Sequence, residues 1–285
     1  MEMLQRIGLF VFAAILAVGT ASGANAAGPR PWEMGLQDPA SPTMEHINDF
    51  HNLLLVIITL ITLFVLFLLL YVMFRFSEKR NPTPSKTTHH TVLEVLWTTL
   101  PVIILVIIAI PSFKLLYFAD HTEDPDMTIK AIGRQWYWSY EYPDNGNFTF
   151  DATLVPEEDL KPGQLRLLTA DNPVVVPVNT KIRLLITGSD VIHSFALPAM
   201  GIKLDAVPGR INETWLEVER EGTYYGQCSE ICGAGHSFMP IMLEAVSKEA
   251  FKQWVERAKK EFAQVDEPAK KPADQTRLAQ VRQAQ

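Results

Sequence analysis

The hydrophobic pattern divides the chain into an apolar first part and a longer remainder of short, punctuated runs. Near the N-terminus Arg6 precedes the apolar run IGLFVFAAILAV, and the small residues Ala24-Asn25-Ala26 follow. A basic residue, a short apolar stretch and a small-residue cleavage site predict a removable secretory signal over residues 1–26. A third membrane helix would need a longer run, about 20 residues. Two longer runs do appear, at 51–76 (HNLLLVIITLITLFVLFLLLYVMFRF) and 92–118 (VLEVLWTTLPVIILVIIAIPSFKLLYF). Each can cross about 30 Å of hydrocarbon as a helix, which satisfies its own backbone polar groups.

Between these spans the segment SEKRNPTPSKTTHH, together with Arg75, gathers Lys and Arg at the helix ends. Positive charge on short loops marks the cytoplasmic side, so residues 77–91 are expected there. Both ends of the mature chain then face outward, with residues 27–50 as an exported N-terminal segment. Pro101 and Pro111 interrupt the hydrogen-bond ladder of the second span. Such breaks are repaired by neighbouring helices or side chains, which suggests a hairpin packed against a larger membrane partner.

Past Asp120 the pattern changes to β-rich runs separated by Pro, Gly and Asn. MTIKAI, WYWSYEY, FTFDA, LRLLTA, VVVPV, KIRLLIT, TWLEVE, TYYGQ and PIMLEAV all read as strands. Many short strands with turns between them predict a mainly β sandwich or barrel over residues 119–247. From Lys248, KEAFKQWVERAKKEFAQV has helical periodicity, and residues 248–285 are expected to form a C-terminal helix and a mobile tail. At 285 residues, with 48% hydrophobic residues and a net charge of −7, the chain has room for one globular domain besides its membrane anchor. No nucleic-acid partner is expected.

The candidate chemistry is concentrated in YYGQCSEICGAGHSFMP, residues 224–240, which holds the chain's 2 cysteines, a histidine and a methionine. In an exported domain Cys228 and Cys232 could form a disulfide. That bridge would close a very small loop and constrain the unfolded chain little, and it would leave His236 and Met239 without a role. Metal is the competing reading: thiolate, thioether and imidazole together suit copper, whereas calcium and magnesium sites are built from oxygen. A mononuclear blue-copper site uses one Cys, so the second thiolate points to two bridged ions. The second imidazole best comes from His193 in SDVIHSFALPAMG. Zinc held by Cys228, Cys232, His236 and His193 is the rival, although it gives Met239 no task.

The loop CSEICGAGHSFMP, the upstream DVIHSFALPAMGIKLDAVPGR and the aromatic run GRQWYWSYEY closely resemble the subunit II family of cytochrome c oxidases, across both membrane spans and most of the outer domain. The resemblance implies a cupredoxin-like Greek-key domain with a dinuclear copper centre. Cys228 and Cys232 would bridge both ions, His193 and Met239 would complete one, and His236 with the Glu230 carbonyl would complete the other. It further implies cytochrome c as donor, a haem-bearing subunit I as acceptor, and oxygen reduction with proton pumping in that partner. The setting would be a bacterial inner membrane, with the copper domain in the periplasm. There is no CxxCH for covalent haem.

Further assignments follow from the same resemblance. Strand alternation puts Trp136, Trp138, Tyr140 and Tyr142 on one face and Tyr137 on the other, and buried core is the ordinary fate of such aromatics. The resemblance singles out Trp136 as the point of electron entry. It also implies a magnesium ion at the Glu230 carboxylate, shared with subunit I, and a proton-pathway entrance at Glu94. Glu141, Asp144, Asp190 and Asp205 are candidate docking acids, since a clustered negative field steers a basic donor. A membrane-anchored copper-delivery protein, with an accessible and exchangeable metal, is the alternative of a different class.

Overall fold

The computed structural model describes residues 26–120 and 124–262, so the apolar run of the expected signal and the tail beyond Phe262 lie outside it. Helix α1 (Pro42–Arg75) and helix α2 (Thr91–Asp120) form the hairpin, with Pro101 and Pro111 inside a continuous α2. The apolar side chains of both helices are largely exposed, as lipid- or partner-facing spans require.

Helix α1 begins earlier than its apolar run. Ser41 is its N-cap and accepts from the Met44 N–H at 3.1 Å, and Pro42 occupies the first turn, where no N–H is needed. At 34 residues α1 is about 51 Å long, well beyond a bilayer's hydrocarbon thickness. Its first turn is used to hold the outer domain. The Ser41 hydroxyl donates to the Met200 carbonyl at 2.8 Å, the Ala40 N–H donates to Ala199, and Ala40, Thr43 and Met44 are buried. At the end of α2 the Trp215 indole donates to the Phe118 carbonyl at 3.1 Å.

The outer domain is two facing sheets. Its strands are β1 (Ala26–Ala27), β2 (Met127–Arg134), β3 (Tyr137–Tyr142), β4 (Phe148–Ala152), β5 (Val174–Pro177), β6 (Ile182–Gly188), β7 (His193–Leu197), β8 (Ile202–Ala206), β9 (Asn212–Leu216), β10 (Gly222–Cys228) and β11 (Pro240–Val246). One sheet runs β4-β3-β2-β6-β9; the other runs β5-β11-β10-β7-β8, with β1 paired to β10. In β4 and β6 alternate residues are buried, namely Phe148, Phe150 and Ala152, then Ile182, Leu184 and Ile186. That period of two is what a sandwich demands of strands with one inward face. Trp138 of one sheet meets Phe195 of the other edge-on at 5.2 Å. The Tyr142 hydroxyl reaches across to β5, donating to the Val175 carbonyl at 2.9 Å and accepting its N–H at 3.0 Å. Helix α3 (Lys248–Phe262) buries Phe251, Val255 and Ala258, and its Trp254 and Phe262 pack on Phe148 and Phe150.

Two local expectations are corrected, for LRLLTA and for Trp136. LRLLTA is a turn, with Leu167 at a φ of 64° and the Thr169 hydroxyl donating to the Leu165 carbonyl; only Ala170 makes a lone bridge, to Leu154. His193, expected to supply the second imidazole, is fully buried and opens a separate strand, β7, which forms a hairpin with β8. Trp136 lies outside β3, in the turn after β2, so it does not share a strand face with Trp138, Tyr140 and Tyr142.

Candidate metal centre

Three segments converge at one end of the sandwich. Strand β7 supplies His193, strand β10 ends on Cys228, and the loop from there to β11 carries Glu230, Cys232, His236 and Met239. The loop is held at its root by the Ser229 N–H on the Ser194 carbonyl and the Cys228 N–H on the Met239 carbonyl. Gly233 turns it with a φ of +117°, a conformation that side chains with a Cβ rarely adopt.

The donor atoms lie together. The two sulfurs are 3.9 Å apart and unbonded. Cys228 Sγ is 4.0 Å from His193 Nδ1 and 3.4 Å from the Glu230 carbonyl. Cys232 Sγ is 3.6 Å from His236 Nδ1 and 3.6 Å from Met239 Sδ. Each thiol is thus central, with two further donors at its side. His193, Cys228, Cys232 and Met239 are buried, whereas the Glu230 residue is exposed.

This donor set fits a pair of copper ions. It offers two thiolates, two imidazoles, a thioether and a carbonyl, which is more than one tetrahedral zinc takes and softer than calcium or magnesium sites. The burial of Met239 Sδ against Cys232 is the detail that zinc leaves idle.

Electrostatics prepares the thiols. Burial pushes Cys228 up, but hydrogen bonds with His193 and with the backbone at Glu230 and Ser194 outweigh it and hold the thiol down at about 6. Burial and the neighbouring Cys228 push Cys232 up to about 12. A bound cation favours the thiolate form of both. His193 Nε2 lies 2.8 Å from Asp190 Oδ1. With Nδ1 free to ligate, Nε2 carries the proton and donates to that carboxylate, a common arrangement around metal-binding histidines.

Trp136 stands beside the loop, partly buried, with its indole against Gly233 and Gly235 and its Nε1 donating to the Cys232 carbonyl at 3.1 Å. The candidate docking acids separate into two groups. Asp190 and Asp205 lie at the donor end, Asp205 in β8 opposite Ser194. Glu141 is ion-paired with Lys130 at 3.0 Å, and Asp144 accepts the Thr128 N–H at 2.7 Å. At about 3.3 Å per residue these two are roughly 15 Å or more along the strand from Trp136. Glu94 sits in the first turn of α2 and accepts the His90 N–H at 3.2 Å, which caps the helix.

Comparison with known proteins identifies the family. Residues 127–246 match "Cytochrome C oxidase subunit II, periplasmic domain" and residues 29–115 match "Cytochrome C oxidase subunit II, transmembrane domain". The chain belongs to the cytochrome c oxidase subunit II family. It is 52% identical to the "Probable cytochrome c oxidase subunit 2" of Rickettsia bellii (strain RML369-C) over 80% of this chain and 84% of that one. It is 53% identical to the "Cytochrome c oxidase subunit 2" of Oenothera berteroana over 79% and 90%. The crystal structure of the periplasmic domain of subunit II of cytochrome oxidase of Bradyrhizobium japonicum covers 50% of this chain and 99% of its own, with 56% identity and a TM-score of 0.47. Members of the subunit II family are parts of an oxidoreductase complex and not catalysts alone, and here the family's membrane segment coincides with two helices long enough to span a bilayer.

Sequence reasoning missed three supporting residues. Asp190, read as a candidate docking acid, also accepts from Gln135 N–H, Val191 N–H and His193. Its place three residues before His193 was an available signal. Gln135, whose Nε2 donates to the Cys232 carbonyl, and Gly133, which leaves room for the His193 ring, carry no metal signature in the sequence at all.

Proposed function

We propose that this chain accepts electrons from a cytochrome c at Trp136 and delivers them to a haem in subunit I of its oxidase. The observation that carries this reading is the Trp136 Nε1 contact with the Cys232 carbonyl, beside six clustered donor groups. When bound, a dinuclear copper centre supplies a one-electron couple shared by two ions. His193, Cys228, Cys232, His236, Met239 and the Glu230 carbonyl would hold it.

The chain's own residues account for the rest. Strands β7 and β10 are paired neighbours in one sheet, so the donors keep their places while charge changes, as a preorganised site needs. Trp136 is partly exposed and donates a hydrogen bond to the cysteine loop. Burial of His193, Cys228, Cys232 and Met239 weighs against copper delivery, which needs an exchangeable ion. Oxygen reduction to water and proton pumping take place in subunit I. The exposed Glu230 carboxylate is suited to a magnesium ion shared with that subunit, an oxygen-seeking cation. Glu94, near the cytoplasmic end of α2, serves as a proton-pathway entrance. Asp190, Asp205, Glu141 and Asp144 contribute to the field that draws a basic donor. The complex lies in a bacterial inner membrane, with the lipid bilayer around the hairpin and the copper domain in the periplasm after signal removal.

Stopped-flow mixing of the assembled oxidase with reduced cytochrome c tests this. The reading predicts rapid reduction of the copper centre before any haem, and haem reduction that precedes it would overturn the reading.

A further inference from the structure

Gln135 touches both halves of the donor cluster. Its backbone N–H donates to Asp190 Oδ2 at 2.7 Å, and its side-chain Nε2 donates to the Cys232 carbonyl at 2.8 Å. The other Asp190 oxygen, Oδ1, meets His193 Nε2 at 2.8 Å and accepts the Val191 N–H at 2.7 Å. A single residue in the β2–β3 turn therefore joins the histidine-bearing segment to the cysteine loop.

We propose that Gln135 is a positioning residue that clasps the two ligand-bearing segments and sets the separation between His193 and the Cys228–Cys232 pair. The proposal rests on the copper reading above. Its physical basis is the direction of the amide. Although Gln135 is an exposed residue, Nε2 points inward to a backbone carbonyl, so it is engaged before any partner docks. The Cys232 carbonyl has two lone pairs and receives two donors, Gln135 Nε2 and Trp136 Nε1. Removing the amide leaves the indole to hold the loop alone, on a side chain that is itself a surface contact.

The clasp also explains why Asp190 accepts three donors. Its carboxylate orients the His193 ring, and the Gln135 N–H orients the carboxylate. Outer partners of metal-ligating histidines act in this way, and losing one costs about 10- to 100-fold in metal affinity.

The test uses the full-length chain in detergent, loaded with copper. Gln135→Met is near in size and lacks the donor, and Gln135→Glu replaces the donor with an acceptor-only carboxylate. Asp190→Asn perturbs the other arm. Each variant is expected to lose copper to a chelator about tenfold faster than wild type and to show an altered copper hyperfine pattern. Because both arms act through one residue, Gln135→Met with Asp190→Asn should fall short of the product of the single effects. Should Gln135→Met not accumulate, Gln135→Glu reads the same bond. A purely structural part would lower the melting temperature and leave the hyperfine pattern of the loaded variant unchanged. Variants at Gln135 that match wild type in both release rate and spectrum overturn the clasp. A wild-type chain that binds no copper pair overturns the underlying copper reading instead.

Discussion

Replacing Gly133 with alanine probes how closely the donor site is packed against the opposite sheet. A Cβ built on Gly133 lies 2.7 Å from His193 Cδ2, 2.8 Å from Cγ and 2.9 Å from Cβ. Carbon atoms in contact prefer about 3.5–4.0 Å, so roughly 1 Å of separation must be found. Strand β2 cannot retreat easily, because Gly133 is paired with Trp138 on one side and Gly188 on the other. The ring is no freer: His193 is fully buried and its Nε2 is held by Asp190. Overpacking of this kind costs about 1–3 kcal/mol. Alanine recovers about 0.5–1 kcal/mol relative to glycine within a strand. The net loss of about 1–2 kcal/mol corresponds to a melting temperature lower by roughly 3 to 10 °C for a domain of this size. The larger effect falls on the metal, since the crowded Cγ, 2.8 Å from the added Cβ, is bonded to Nδ1 and the ring must shift as a unit. Thermal unfolding of the metal-free chain and chelator competition on the loaded chain measure the two separately. A Gly133→Ala chain with wild-type spectrum and copper retention would refute the close-approach argument, whatever its melting temperature.

Three further expectations follow from named contacts. Loss of a tryptophan from the centre of a contact costs about 2 kcal/mol or more, so Trp136→Leu should lower the second-order rate of reduction by cytochrome c, counted per copper-loaded chain, at least about thirtyfold. An unchanged rate would remove Trp136 as the entry point. Tyr140 and Tyr142 are both fully buried, but the Tyr142 hydroxyl bonds Val175 twice, whereas the Tyr140 hydroxyl has no partner among the described residues. In chemical denaturation Tyr142→Phe should therefore cost about 2–3 kcal/mol and Tyr140→Phe close to nothing, because only the first strands buried backbone groups; equal effects would contradict this. Reduction by cytochrome c should slow steeply as ionic strength rises from about 0.01 to 0.15 M, where the screening length falls from about 30 to 8 Å. A flat response would leave the acidic residues without a docking role.

What the sequence disclosed depended on how far each residue's role is written in its own type. Strands β4, β6 and β11 were legible from alternation, since each has one inward face. Strand β7 was not, because all five of its residues are buried and no alternation survives. LRLLTA misled for the opposite reason: its apolar residues imitate a strand, but the Thr169 side chain bonds back to Leu165 and stabilises a turn. The candidate metal donors stood out because sulfur and imidazole are scarce and most of the donors crowd into one loop. Their supports did not, since an amide in a turn and a glycine in a strand acquire meaning only once the chain is folded. Helix α1 began earlier than its apolar run because its first turns serve the outer domain, through Ser41 and Met200.

Electron paramagnetic resonance of the copper-loaded, full-length chain tests the central claim most directly. The account predicts hyperfine structure from two equivalent coppers sharing one unpaired electron, with Cys228 and Cys232 both required for it. A single-copper pattern, or a chain isolated with Cys228 and Cys232 oxidised to each other and unable to take up copper after reduction, would contradict it.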